Sequence, residues 1–157
     1  MSHYQQSLVI EASPAAVYAA LATPTGLKGW WTEDCEGASQ TGGSLQFRFG
    51  DTHKTMRIER LEPGRLVHWR CTQAHVAIAE LSRKDEWVGT ELAFQLSDLG
   101  AGRTRLDFSH YGLTPALECY ELCNRGWQHF LGSLQQYAQT GKGTPYEMAE
   151  EGAKCVH

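Results

Sequence analysis

Between Leu45 and Phe49 the side chains alternate strictly: Leu45, Phe47 and Phe49 stand against Gln46 and Arg48. A period of two predicts a strand with one apolar and one solvated face. The alternation resumes in THKTMRIERLE, where Met56 and Ile58 oppose Arg57 and Glu59, and Pro63-Gly64 then turns the chain into RLVHWRC. These runs predict an antiparallel meander of about three strands. Farther on, EWVGTELAFQLSD places Thr90, Leu92, Phe94 and Leu96 on one face. After the glycine-rich turn at 100–102, RTRLDFSH does the same with Thr104, Leu106, Phe108 and His110. His110 therefore takes the inward parity, and Glu91 and Asp107 the outward one.

The two ends of the chain carry the helical signals. YQQSLVIE, residues 4–11, reads as a first strand, and Ser13-Pro14 supplies an N-cap with proline at the first helical position. A short helix, PAAVYAALAT, follows until Pro24, with a second helical turn around LKGWW. From Thr114-Pro115 the period becomes helical again. Leu117, Tyr120, Cys123, Trp127, Phe130 or Leu131, and Leu134 form one apolar stripe over about seven turns. Gly141 closes this helix and Pro145 blocks its resumption. The last residues lack an apolar period and are expected to fray.

These elements define an α+β fold: a strand, two short helices, a curved antiparallel sheet and one long C-terminal helix. The apolar face of the sheet must be buried, and the long helix is the element large enough to bury it. A sheet that curls around the helix without touching it everywhere leaves a pocket between them.

Composition narrows the functions. The chain has 157 residues with no internal repeat or linker, which suits one domain over residues 1–146 followed by a tail at 147–157. Fourteen Lys and Arg against 18 Asp and Glu give a net charge of -4. That balance offers no footprint for a phosphate backbone, so nucleic acid is not an expected partner. No signal peptide or membrane span is read, and the expected location is cytoplasmic. Five cysteines without a CxxC pair fit reduced thiols better than a disulfide framework.

Few residues carry a chemical signal. His110, titrating near neutrality at the end of an inward-facing strand, is the candidate for donating to a ligand carbonyl or acting as a general acid. Against that stands the plainer role of a histidine bonded at a strand end, since no second titratable group stands at a spacing that identifies a base. Cys119 and Cys123 share a helix face and could join a histidine on a soft metal, but two thiols alone are better read as core. His53, His68 and His75 lack ligand spacing and are read as surface residues, and no metal or cofactor is expected. Gly141-Lys142-Gly143 closes a helix where a phosphate loop would open one, so it reads as a cap. No GxSxG or Walker motif is present.

The runs IEASPAAVYAALATPTGLKGWW, WVGTELAFQL with TRLDFSHYGL, and CNRGWQHFLGSLQQYAQTGKGTPY together resemble the START-like, or SRPBCC, superfamily. Within it the chain is similar to the homologues of the heat-shock-protein-90 ATPase activator, across residues 4 to 146. The resemblance implies a helix-grip fold over a hydrophobic cavity. It also implies relatives that bind lipids, sterols or polyketides, that cyclise polyketides, or that act on a chaperone. On the matching positions, Trp30 and Trp31 would lie at the pocket mouth, His110 and Gly112 would end the last strand, and Trp127 and Leu131 would face the cavity. The segment AHVAIAELSRK, residues 74–84, departs from the pattern by its length and leaves one wall of the pocket undefined.

The sequence therefore favours a binding module over an enzyme. It is expected to hold a small apolar or amphipathic molecule in a cavity of roughly 300 to 1,000 Å³. Phe47, Met56, Trp69, Phe94, Phe108 and Trp127 are the expected lining. A cyclase or hydrolase using His110 in the same cavity, and a partner of heat-shock protein 90 that stimulates its ATPase, are the two rival readings. A homodimer is left open.

Overall fold

The computed structural model describes residues 3–146, so the expected frayed tail and Cys155 lie outside the described residues. Seven strands form one antiparallel sheet in the order β1-β7-β6-β5-β4-β3-β2. They are β1 (Tyr4–Ile10), β2 (Asp34–Gly37), β3 (Ser44–Phe49), β4 (Thr52–Glu62), β5 (Leu66–His75), β6 (Glu91–Gly100) and β7 (Arg103–Tyr111). The helices are α1 (Pro14–Ala22), α2 (Pro24–Trp30) and α3 (Tyr120–Thr140). The two short helices carry the chain from β1 at one edge to β2 at the other. This is the expected α+β architecture, with β2 as an addition: its four residues, DCEG, are too short to show an alternation.

Local chemistry sets the boundaries. Ser13 Oγ accepts from the Ala16 amide and Thr23 Oγ1 from the Gly26 amide, so each short helix has a hydroxyl cap followed by proline. Gly141 ends α3 at φ 86°, a left-handed geometry that favours glycine, and its amide donates to Tyr137 O. The start of α3 corrects the expectation. Thr114-Pro115 opens only a pair of turns through Leu117 and Tyr120, and the regular helix begins at Tyr120. Its N-cap, Cys119, makes no side-chain cap bond.

The sheet bends because its ladder is interrupted. Register shifts fall between Thr55 and Met56, between Ile58 and Arg60, and between Asp98 and Gly100. Such shifts increase local twist and curl the strands. The concave face then wraps α3, and the alternating residues of β3 to β7 converge on it, with Thr104, Leu106, Phe108 and His110 all buried. The opposite face is solvated and charged: His68 Nε2 and Arg70 both meet the Glu91 carboxylate, and Asp107 accepts from Ser7 and Arg105.

Candidate functional site

The middle of α3 brings Trp127 against the sheet, and the space between them is filled by rings. Trp127 lies 4.4 Å from Phe108 and 5.3 Å from Trp31, centroid to centroid. Trp31 in turn stacks on Trp69 at 6.0 Å and on Trp30 at 5.6 Å, and meets Phe47 at 4.4 Å. Phe94 closes the row at 5.2 Å from Trp69 and 4.9 Å from Phe108. Met56 and Leu131 are fully buried in the same cluster. Every residue expected to line a ligand cavity is thus brought together, but as packed core.

Among the described residues the space these rings leave beside α3 is a hollow of about 10 Å³, bordered by Trp31, Lys54, Trp87, Cys123, Trp127 and Phe130, where several hundred Å³ was expected. Tryptophan supplies the filling, since each ring can occupy ~150 to 250 Å² of contact surface. Trp30 and Trp31 also lie inside the core, not at a mouth: Trp30 Nε1 donates to Ala20 O at 2.8 Å. A wider concavity between β1 and α3, lined by His3, Gln6, Tyr120, Asn124 and Gln128, is polar and open to solvent.

His110 is completely buried and fully engaged. Trp127 Nε1 donates to His110 Nδ1 at 3.1 Å, so Nδ1 is the acceptor and the ring proton sits on Nε2. Nε2 donates to Thr90 Oγ1 at 2.9 Å, and that hydroxyl donates to Trp87 O at 2.6 Å. Burial, with a smaller contribution from Lys54, pushes the imidazole down to about 3. A neutral ring with both nitrogens used inside the protein is a poor proton shuttle at pH 7. The strand-end role weighed for it above describes it better.

The charged group at the hollow is Lys54. It is 1% exposed, and its Nζ stands 3.7 Å above the Trp87 ring and 5.1 Å from that of Phe49. Trp87 also lies 5.9 Å from Trp127 and edge-on to His110 at 4.5 Å. Its Nε1 donates to Cys123 Sγ at 3.2 Å. The Cys119 thiol hydrogen-bonds to Cys123, which holds Cys123 below its ordinary range while Cys119 is driven upward. Among the described residues no group of three or more His, Cys, Asp or Glu could hold a metal ion.

Two loops close this end of the sheet, residues 76–90 after β5 and residues 112–119 after β7. Each clamps the other through a carboxylate. Glu86 accepts from the amides of Glu118 and Cys119 at 3.2 and 3.1 Å, which supplies α3 with the cap its own N-cap side chain lacks. Glu118 in return accepts from the Ser82 and Arg83 amides and the Ser82 hydroxyl, each at about 3 Å. The amides of Ser82 and Arg83 hold its carboxyl below the usual carboxylate range.

Lys54, Glu86 and Glu118 were not singled out from sequence. Lys54 shares the inward parity of Met56 and Ile58 and lies inside the run THKTMRIERLE already read as a strand, so carrying the alternation back from Met56 would have exposed it. Trp87 and Glu86 follow the irregular segment 74–84, whose fold no periodicity reveals.

Comparison with known proteins agrees with this architecture. The model of the Activator of Hsp90 ATPase homolog 1-like protein family matches residues 11–139. The solution structure of the Aha1 dimer from Colwellia psychrerythraea is 33% identical, with a TM-score of 0.75 over 91% of this chain and 100% of that one. The protein SSP2350 from Staphylococcus saprophyticus shares the fold at 16% identity and TM-score 0.70, over 91% and 96% of the two chains. CalU16 from Micromonospora echinospora does so at 19% and 0.65, over 89% and 75%. No match is found among curated proteins. With a curled sheet gripping one long helix, and a family model spanning most of its length, the chain belongs to the Activator of Hsp90 ATPase homolog 1-like family.

Proposed function

We propose that the protein binds a small amphipathic molecule, aromatic or aliphatic in its body and anionic or electron-rich at one end, between the sheet and α3. The observation that carries this reading is Lys54. A core built for stability alone is best filled by apolar side chains, because taking an ammonium out of water is costly. Here the ammonium is kept inside, over the Trp87 ring and beside the remaining hollow. Entry requires Trp87 and the 76–90 loop to swing outward, so the site is closed until it is occupied. The expected lining residues Trp69, Phe94, Phe108 and Trp127 would then form the floor, and Lys54 the anchor.

The cyclase or hydrolase reading draws no support from His110, whose nitrogens serve Trp127 and Thr90. Engagement of heat-shock protein 90 is the second reading, favoured by the family model and by a 33% identical relative solved as an Aha1 dimer. A homodimer of this chain belongs with that reading. A cytoplasmic location fits the four free thiols among the described residues. No helix among those residues is long and apolar enough to cross a membrane.

The test is a titration of the native protein with 1-anilinonaphthalene-8-sulfonate, an aromatic anion, followed by fluorescence and by thermal shift. Saturable binding that raises the melting temperature, lost in Lys54→Met, is expected. No saturable binding, or equal binding by Lys54→Met, would remove the reading. Capture of purified heat-shock protein 90 at low salt, unaffected by Lys54→Met, would move the weight to the second one.

A further inference from the structure

We propose that Cys123 is a peroxide-reactive thiol and Cys119 its resolving partner, a modification site at the N-terminal end of α3 that takes a small hydroperoxide through the hollow beside Lys54. The proposal does not depend on a bound ligand, since it holds for the hollow as it stands.

Four features converge on the Cys123 sulfur. Trp87 Nε1 donates to it at 3.2 Å, and the Cys119 thiol donates to it from one turn earlier. Lys54, on β4, borders the same hollow and favours a negative sulfur. Cys123 is the fourth residue of α3, where the helix dipole also favours an anion. Burial opposes them, as it does at every buried thiol, and so to a smaller extent does Glu86 on the facing loop, whose carboxylate is engaged on the Glu118 and Cys119 amides; the net direction at Cys123 is still downward. No comparable set surrounds the other described thiols. Burial pushes Cys35 up to about 12 and Cys71 up to about 11.

Access and geometry fit the chemistry. The hollow is about 10 Å³, close to the volume that one water-sized molecule requires, and hydrogen peroxide is little larger. In the first step the Cys123 thiolate attacks one peroxide oxygen. The O–O bond breaks, sulfur is oxidised to the sulfenic acid, and the other oxygen of hydrogen peroxide takes a proton and leaves as water. In the second step the Cys119 sulfur attacks the Cys123 sulfur. The S–S bond forms, the S–O bond breaks, and hydroxide leaves with the Cys119 proton as water. Residues four apart on a helix have Cα atoms about 6 Å apart, within the range a disulfide spans.

The experiment treats the folded full-length chain with hydrogen peroxide at neutral pH, quenches by alkylation in denaturant, and maps every cysteine by peptide mass spectrometry. The expected product is a peptide holding Cys119 and Cys123 that is two hydrogens lighter than the dithiol. It should form at least about tenfold faster than any oxidation at Cys35 or Cys71, whose thiolate fractions burial keeps small. In Cys119→Ser, dimedone should trap a sulfenic acid at Cys123. The initial alkylation rate of Cys123 in the native protein should reach its midpoint below the free-thiol range near ~8.5. Oxidation of Cys123 no faster than of Cys35 and Cys71, or no Cys119–Cys123 disulfide in a chain still folded by circular dichroism, would overturn the proposal. Neither reading requires a variant to fold, because wild type supplies both.

Discussion

Trp127 Nε1 donates to His110 Nδ1 at 3.1 Å, joining the centre of α3 to the end of β7 through two residues with no exposure to speak of. The bond fixes the imidazole tautomer, and the proton on Nε2 then continues the chain through Thr90 Oγ1 to Trp87 O. Helix, strand and covering loop are thereby tied by one string of hydrogen bonds. Each donor and acceptor on it is satisfied, which matters because an unpaired buried polar group costs ~1 to 3 kcal/mol.

The first prediction concerns pH. His110 is held near 3 when folded, against 6.5 for the ordinary side chain. Between these values the unfolded chain binds the extra proton, so stability rises with pH. The contribution is fully present above the unfolded value and is lost as pH falls toward the folded one. Urea unfolding from pH 7 to pH 4 should show a loss approaching ~1.4 kcal/mol per pH unit from this site. His110→Gln, which can still donate to Thr90, should be less stable at pH 7 yet flatter across the range. Equal slopes for the two proteins would refute the assignment.

Trp127 offers a test of packing. Its ring touches Phe108, Trp31, Trp87 and His110, and the adjoining void is too small to soften its removal. Trp127→Ala should therefore cost about 3 to 5 kcal/mol, the range for truncating a packed aromatic side chain. Chemical denaturation at neutral pH measures it. A cost near 1 kcal/mol would mean that the helix stands off the sheet in solution.

Much of this was legible from periodicity, and the residues that were not have a common reason. Strand parity put Phe94, Phe108 and His110 on one face because a period of two has only two outcomes. Gly141 and the Ser13-Pro14 pair were readable because caps are local chemistry. Whether converging aromatic side chains enclose a cavity or fill it depends on how tightly the sheet bends, and the register shifts that bend it leave no mark in the pattern. Lys54 was hidden by its charge, which reads as surface although its parity is inward. The cap of α3 could not be found near α3 at all, since it is Glu86, more than 30 residues upstream.

That remote cap leads to a prediction about loop motion. Glu118 binds the Ser82 and Arg83 amides, and those bonds are what hold its carboxyl below the usual range. The sign follows directly: the clamp is complete above the carboxylate's unfolded value and is lost as pH falls through the folded one. Hydrogen exchange at Ser82 and Arg83 should be slow at pH 7 and should quicken in Glu118→Gln, with little change in α3 beyond its first turn. The difference between wild type and variant should shrink as wild type is protonated. Unchanged exchange at those two amides would show that the loop is held by other contacts.

The last prediction separates what Lys54 does for stability from what it does for binding. Its side chain is buried against Trp87 and Phe49, so its methylene stem already packs as an apolar residue would. Methionine has nearly the same length and carries no charge to desolvate. Relief of the ammonium's desolvation cost offsets the loss of its contacts with the two rings, each of which contributes about 2 kcal/mol when desolvated. Lys54→Met should thus melt close to the wild-type temperature. The same substitution removes the cation that favours a negative sulfur at Cys123, so alkylation of that thiol at pH 7 should slow severalfold. Thermal denaturation and thiol alkylation, run on the same preparation, check both halves. A marked fall in melting temperature would place Lys54 among the residues that hold the fold together, and its burial would then argue for structure over ligand capture.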